Sequence, residues 1–130
     1  MCLEIIAILN PDAKSRISAN RLSKISGLAV SSQKIDGTSC LHFAVTVGCS
    51  CEFLSDSAEF ESDTWALEAS HLPKLAKAVD ALAQECGRFS FVAHWLGGEH
   101  ERHSQEVSTS DFMKIVVENQ IKNNVLYIVG

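Results

Sequence analysis

The chain has 130 residues, 46% of them hydrophobic and 21% charged, which is the size and composition of one folded domain and excludes a disordered chain. Its net charge of −5 argues against whole-surface nucleic-acid binding, for which a basic domain is usual. No segment reaches the roughly 20 consecutive apolar residues of a membrane span. The N-terminal MCLEIIAILNPDAK carries Glu4 inside its short apolar run and no basic stretch ahead of it, so no secretory signal is expected and the expected location is the cytoplasm.

CLEIIAIL (2–9) is a β-rich run stopped by Asn10-Pro11 and predicts a first strand. A helix follows, capped by Asp12 or Ser18, with Ile17, Leu22 and Ile25 inward and Gly27 as its stop. Asp36-Gly37 between two extended runs predicts a two-residue hairpin loop, in a register that sets Val30 against Phe43. Along the second arm, Leu41, Phe43, Val45, Val47, Cys49, Cys51 and Phe53 alternate with polar or small residues. That period of two predicts one long half-buried strand with a bend at Gly48.

Residues 54–63 read as an acidic loop. Within 64–86, Leu75, Val79, Leu82 and Cys86 recur at helical spacing, and Pro73 places the start of the main helix near 71–73. RFSFVAHWL (88–96) is a second strong strand, broken by Gly97-Gly98, with SQEVS as a short hairpin partner. Ser108, Thr109 or Ser110 caps a last helix, and VLYIV (125–129) ends the chain as a strand. The order is β-α-β-β-α-β-β-α-β. It predicts a single α+β domain over 1–130, a two-layer sandwich in which helices cover one face of a mostly antiparallel sheet of five or six strands.

The charge is segregated. Residues 13–34 hold five basic side chains and no acidic one, whereas residues 35–73 hold seven acidic ones and no Lys or Arg. The acidic block, with Glu52, Asp56, Glu59, Glu61 and Asp63, offers a face to a basic protein, as an inhibitor or immunity-type protein would. Lys14, Arg16, Arg21 and Lys24 could meet nucleic acid, but no aromatic residues are interleaved with them, and nucleic acid is not the expected partner.

Five cysteines, an odd number without disulfide-framework spacing, are expected as free thiols in the core. The alternation assigns Cys49 and Cys51 to the apolar strand face, a structural rather than a chemical role. Cys2 opens an apolar strand with no identifiable base or oxyanion partner. His100 and His103 are the weak metal candidates: His100-Glu101-Arg102-His103 is one residue short of a zinc-helix motif. No phosphate loop, dinucleotide fingerprint or nucleophile elbow is present, and no cofactor is expected.

Two functional classes remain. The first is a non-catalytic binding or interaction protein, self-associated as a homodimer or higher, with 2–9 and 125–129 as candidate exposed strands. The alternative is a small enzyme or ligand-binding domain, whose polar pocket would draw on His42, Glu52, His94, Trp95, His100 and His103.

Overall fold

The structure is a computed structural model that describes residues 2–10, 17–35, 37–46, 48–55, 63–95 and 102–130. The described elements are β1 (Leu3–Leu9), α1 (Ala19–Ser26), β2 (Ala29–Ile35), β3 (Thr38–Ala44), α2 (Leu72–Cys86), β4 (Phe89–Trp95), β5 (His103–Val107), α3 (Thr109–Val117) and β6 (Val125–Val129). Two short 3₁₀ turns, Ser50–Phe53 and Ala69–His71, lie between β3 and α2. This is the expected α+β order, with six strands in one sheet ordered β2-β3-β1-β4-β6-β5. Four of its five pairings are antiparallel; β5 and β6 run parallel.

Alternation along the strands separates the two faces. Leu3, Ile5, Ala7 and Leu9 of β1 share one core with Leu41 and Phe43 of β3, Phe89 and Phe91 of β4, and Tyr127 and Val129 of β6. The apolar stripes of the helices close that core: Leu22 from α1, Leu75, Val79 and Leu82 from α2, Phe112 and Val116 from α3. Phe91 sits at its centre, 6.3 Å from the Phe43 ring and 5.1 Å from Phe112, in the tilted geometries aromatic pairs favour.

The helix ends follow capping chemistry. Ser18 Oγ accepts the Arg21 N–H at 3.1 Å, and Ser108 Oγ accepts the Asp111 N–H at 3.1 Å. Gly27 ends α1 at φ +80, which glycine adopts without a Cβ penalty. Asp12 falls outside the described residues. The β2–β3 register pairs Val30 with Phe43, as the hairpin reading requires.

Four expectations are corrected. The long strand over 41–53 stops at Ala44, because Gly48 turns the chain at φ +121 and Ser50–Phe53 coils into a 3₁₀ turn; the parity of the alternation is lost there. Ile25 faces outward, 41% exposed, at the last turn of α1. The SQEVS segment is no hairpin partner of β4; β6 inserts between the two and pairs with both. Finally, 2–9 and 125–129 are interior strands, and the sheet edges are β2 and β5.

Candidate functional site

The second face of the sheet, away from the helices, carries the polar groups. Register places Glu4 beside His94, and Ile6 between His42 on β3 and Val92 on β4. His94 is 2% exposed. Its Nε2 lies 2.9 Å from Glu4 Oε1 and its Nδ1 3.4 Å from Arg102 Nη2. A carboxylate only accepts and a guanidinium only donates, so the ring carries its proton on Nε2 and both nitrogens are engaged. Arg102 also donates from Nε to Asn124 Oδ1 at 3.1 Å, which holds the guanidinium in place. Glu4, His94 and Arg102 border a cleft of about 290 Å³ whose floor is apolar, with Ile6, Ile8 and Ile35.

His42 turns toward Ser50, with Nε2 3.4 Å from Ser50 Oγ. Burial pushes the His42 imidazole below its ordinary value, and the Glu4 charge opposes that shift. The pair resembles a serine–histidine dyad but has no access to substrate. Ser50 is fully buried, its hydroxyl donates to the Phe43 carbonyl, and it accepts the Ile5 N–H at 3.0 Å. Ile5 and Phe43 are opposed residues on β1 and β3, so this side chain bridges the ladder where β3 ends.

That bridge positions a second cluster. With Ser50 locked between the strands, Cys51 reaches the start of β1, and its Sγ accepts the Leu3 N–H at 3.3 Å. The sulfurs of Cys2, Cys49 and Cys51 all lie within 4.8 Å of one another. Cys2 and Cys49 are exposed and Cys51 is half-buried. The backbone N–H of Cys51 beside Cys49 holds that thiol below its ordinary value, whereas burial pushes Cys51 up to about 11. The assignment of both cysteines to the apolar strand face is therefore overturned for Cys49 and only half met for Cys51. Cys40 is the cysteine that behaves as a small buried apolar group, and burial pushes its thiol up.

Of the remaining sequence candidates, Trp95 points to the helix side, where its ring meets Trp65 edge-on at 4.7 Å. Glu52 is exposed on the 3₁₀ turn and accepts from Thr46 Oγ1. His103 is exposed on edge strand β5, opposite Val125, with the parity of the helix side. His100, Glu101, Asp56, Glu59 and Glu61 lie outside the described residues; Asp63 is exposed. The structure thus brings His42 and His94 to one face and leaves Trp95, Glu52 and His103 elsewhere.

Sequence reading passed over Glu4, Arg102 and Ser50, and weighed Cys2 only as a nucleophile, not as part of a thiol cluster. Glu4 alone left a readable mark, a charge at the same parity as Ile6 and Ile8 inside an apolar strand. No family, curated protein or solved structure matches the chain.

Proposed function

We propose that this is a small binding protein without catalysis, whose site is the cleft bordered by Glu4, His94 and Arg102 on the sheet face opposite the described helices. The observation that carries this reading is the convergence of a carboxylate, an imidazole and a guanidinium at one end of an otherwise apolar cleft. Pockets for small ligands combine such an apolar lining with a few oriented polar groups, and 290 Å³ is near the lower end of their range. Glu4 offers acceptors and Arg102 retains N–H donors, so the fitting ligand is a compact zwitterion with an apolar body, of which apolar α-amino acids are the simplest members. The non-catalytic half of the reading is supported by the engagement of both His94 nitrogens and by the burial of Ser50 beside His42.

Amide and methyl chemical shifts of the labelled protein, followed during titration with leucine, test the reading. Saturable shifts at Glu4, Ile6, Ile8, Cys40 and His94, lost in Arg102→Gln, are expected. No shift up to tens of millimolar ligand, or shifts confined to the helices, would rule the cleft out.

Self-association and a cytoplasmic setting belong to the same proposal. The long edge strand β2, with exposed residues from Ser31 to Ile35, is the kind of edge a second copy covers. Light scattering across a concentration series gives the answer, and a constant monomer mass removes that part.

A further inference from the structure

We infer that Cys2, Cys49 and Cys51 form a binding site for a thiophilic d¹⁰ metal ion, held by three sulfurs where the 3₁₀ turn Ser50–Phe53 docks on the start of β1. The inference is independent of the cleft, and either can stand alone.

Geometry comes first. An ion bound by three sulfurs at about 2.3 Å separates them by about 3.8 Å in a tetrahedral arrangement and about 4.0 Å in a planar one. The three sulfurs already lie within 4.8 Å of one another, so closure asks for at most about an ångström per pair. Cys2 and Cys49 are exposed and can supply it by side-chain rotation.

Hydrogen bonds fix the backbone around the cluster. The Leu3 N–H donates to Cys51 Sγ at 3.3 Å, so one of the three sulfurs receives a backbone donor. Hydrogen bonds of this kind orient metal ligands and stabilise their charge. The backbone that carries both cysteines is anchored between them: Ser50 is fully buried and tied to Ile5 and Phe43, which makes the loop a fixed mount rather than a tether.

Donor chemistry then selects the ion. Three sulfurs without a hard oxygen ligand favour a soft cation, and Zn²⁺ and Cu⁺ share that chemistry. The exposure of two ligands leaves one side of the ion open, so a water or an incoming thiol completes the coordination.

The test uses the full chain, reduced, metal-free and without oxygen, titrated in two arms: Zn²⁺ against a zinc chelator and Cu⁺ against a copper(I) chelator. One ion per chain is expected in at least one arm, and the tighter arm names the ion. Cys2→Ser, Cys49→Ser and Cys51→Ser should each weaken binding by more than the 10–100-fold typical of losing an outer-shell partner. Cys40→Ser and Cys86→Ser should leave it unchanged.

Alkylation mapped by mass spectrometry gives a second readout, in which the ion protects Cys2, Cys49 and Cys51 and no other cysteine. If Cys51→Ser fails to fold, the exposed Cys2 and Cys49 still carry the test. Retention of neither ion, equal retention in Cys49→Ser, or protection that falls on Cys40 or Cys86 would each overturn the site.

Discussion

Ser50 does with one hydroxyl what a backbone hydrogen bond does elsewhere in the sheet. It accepts from Ile5 and donates to Phe43, opposed residues on β1 and β3. Ser50→Ala leaves a buried N–H and a buried carbonyl without their partner, and the expected cost is about 1–3 kcal/mol. Urea unfolding reads this as a lower midpoint with an unchanged slope. Its neighbour His42 makes a different prediction, about pH. Its folded-state value lies below the ordinary 6.5, so the unfolded chain binds the proton more readily. Stability from this residue is therefore complete above about pH 6.5 and lost as the pH falls from there through the depressed folded value. His42→Asn should lose less stability than the parent chain between pH 7 and pH 5 in thermal melts. Neither role was legible in the sequence, where Ser50 and His42 simply occupied the polar parity of a presumed strand.

Elements were more readable than residues, and the reason is period. A helix or strand repeats its signal several times, so α2, α3, β4 and the β2–β3 hairpin declared themselves through spacing and caps. The same rule misled at 45–53, where nine residues continued an alternation that the backbone had abandoned. Gly48 marked the place, but a bend that keeps parity and a turn that destroys it share one residue signal. Irregular joints also hide partners far away in sequence. After α3, Asn119 adopts φ +58; its N–H bonds to the Val116 carbonyl and the Gln120 N–H to that of Ile115, a Schellman stop. The Asn119 amide then pairs with both backbone groups of Leu67, at 3.2 and 3.0 Å, and so ties the segment before α2 to the end of α3. Asn119→Ala should cost about 2–3 kcal/mol, from two hydrogen bonds and a left-handed backbone without its preferred residue. Asn119→Gly should recover only the backbone share, and comparison of the two variants in denaturant separates the terms.

For the molecule as a whole, the decisive fact is that the first strand is a central one. β1 pairs with β3 on one side and with β4 on the other, and Ile5 in its middle is fully buried against the helices. Ile5→Ala should destabilise the domain by about 2–5 kcal/mol, towards the upper part of that range because both neighbouring strands limit collapse of the gap. Trp65 and Trp95 meet edge-on on the helix side, so tryptophan fluorescence and far-ultraviolet circular dichroism should report that loss with a single shared midpoint. The two-layer α+β class was legible because hairpins and helices alternate in the sequence. The strand order was not, since any of several strands could occupy an edge until long-range pairing decides. The cleft and the thiol cluster were hidden for the same reason: Glu4 and His94, or Cys2 and Cys49, become neighbours only once that order exists.

The central place of β1 has a consequence for the growing polypeptide. During synthesis Leu9 is made long before Trp95, and at 5–20 residues per second the interval is roughly 4–17 s. For that time an apolar strand has one open flank, which β3 cannot cover and β4 has not yet reached. Each nascent molecule therefore passes through a fixed window of exposure to its neighbours on the same messenger. Slow translation lengthens that window, so the yield of folded protein should depend on elongation rate even where its final stability does not.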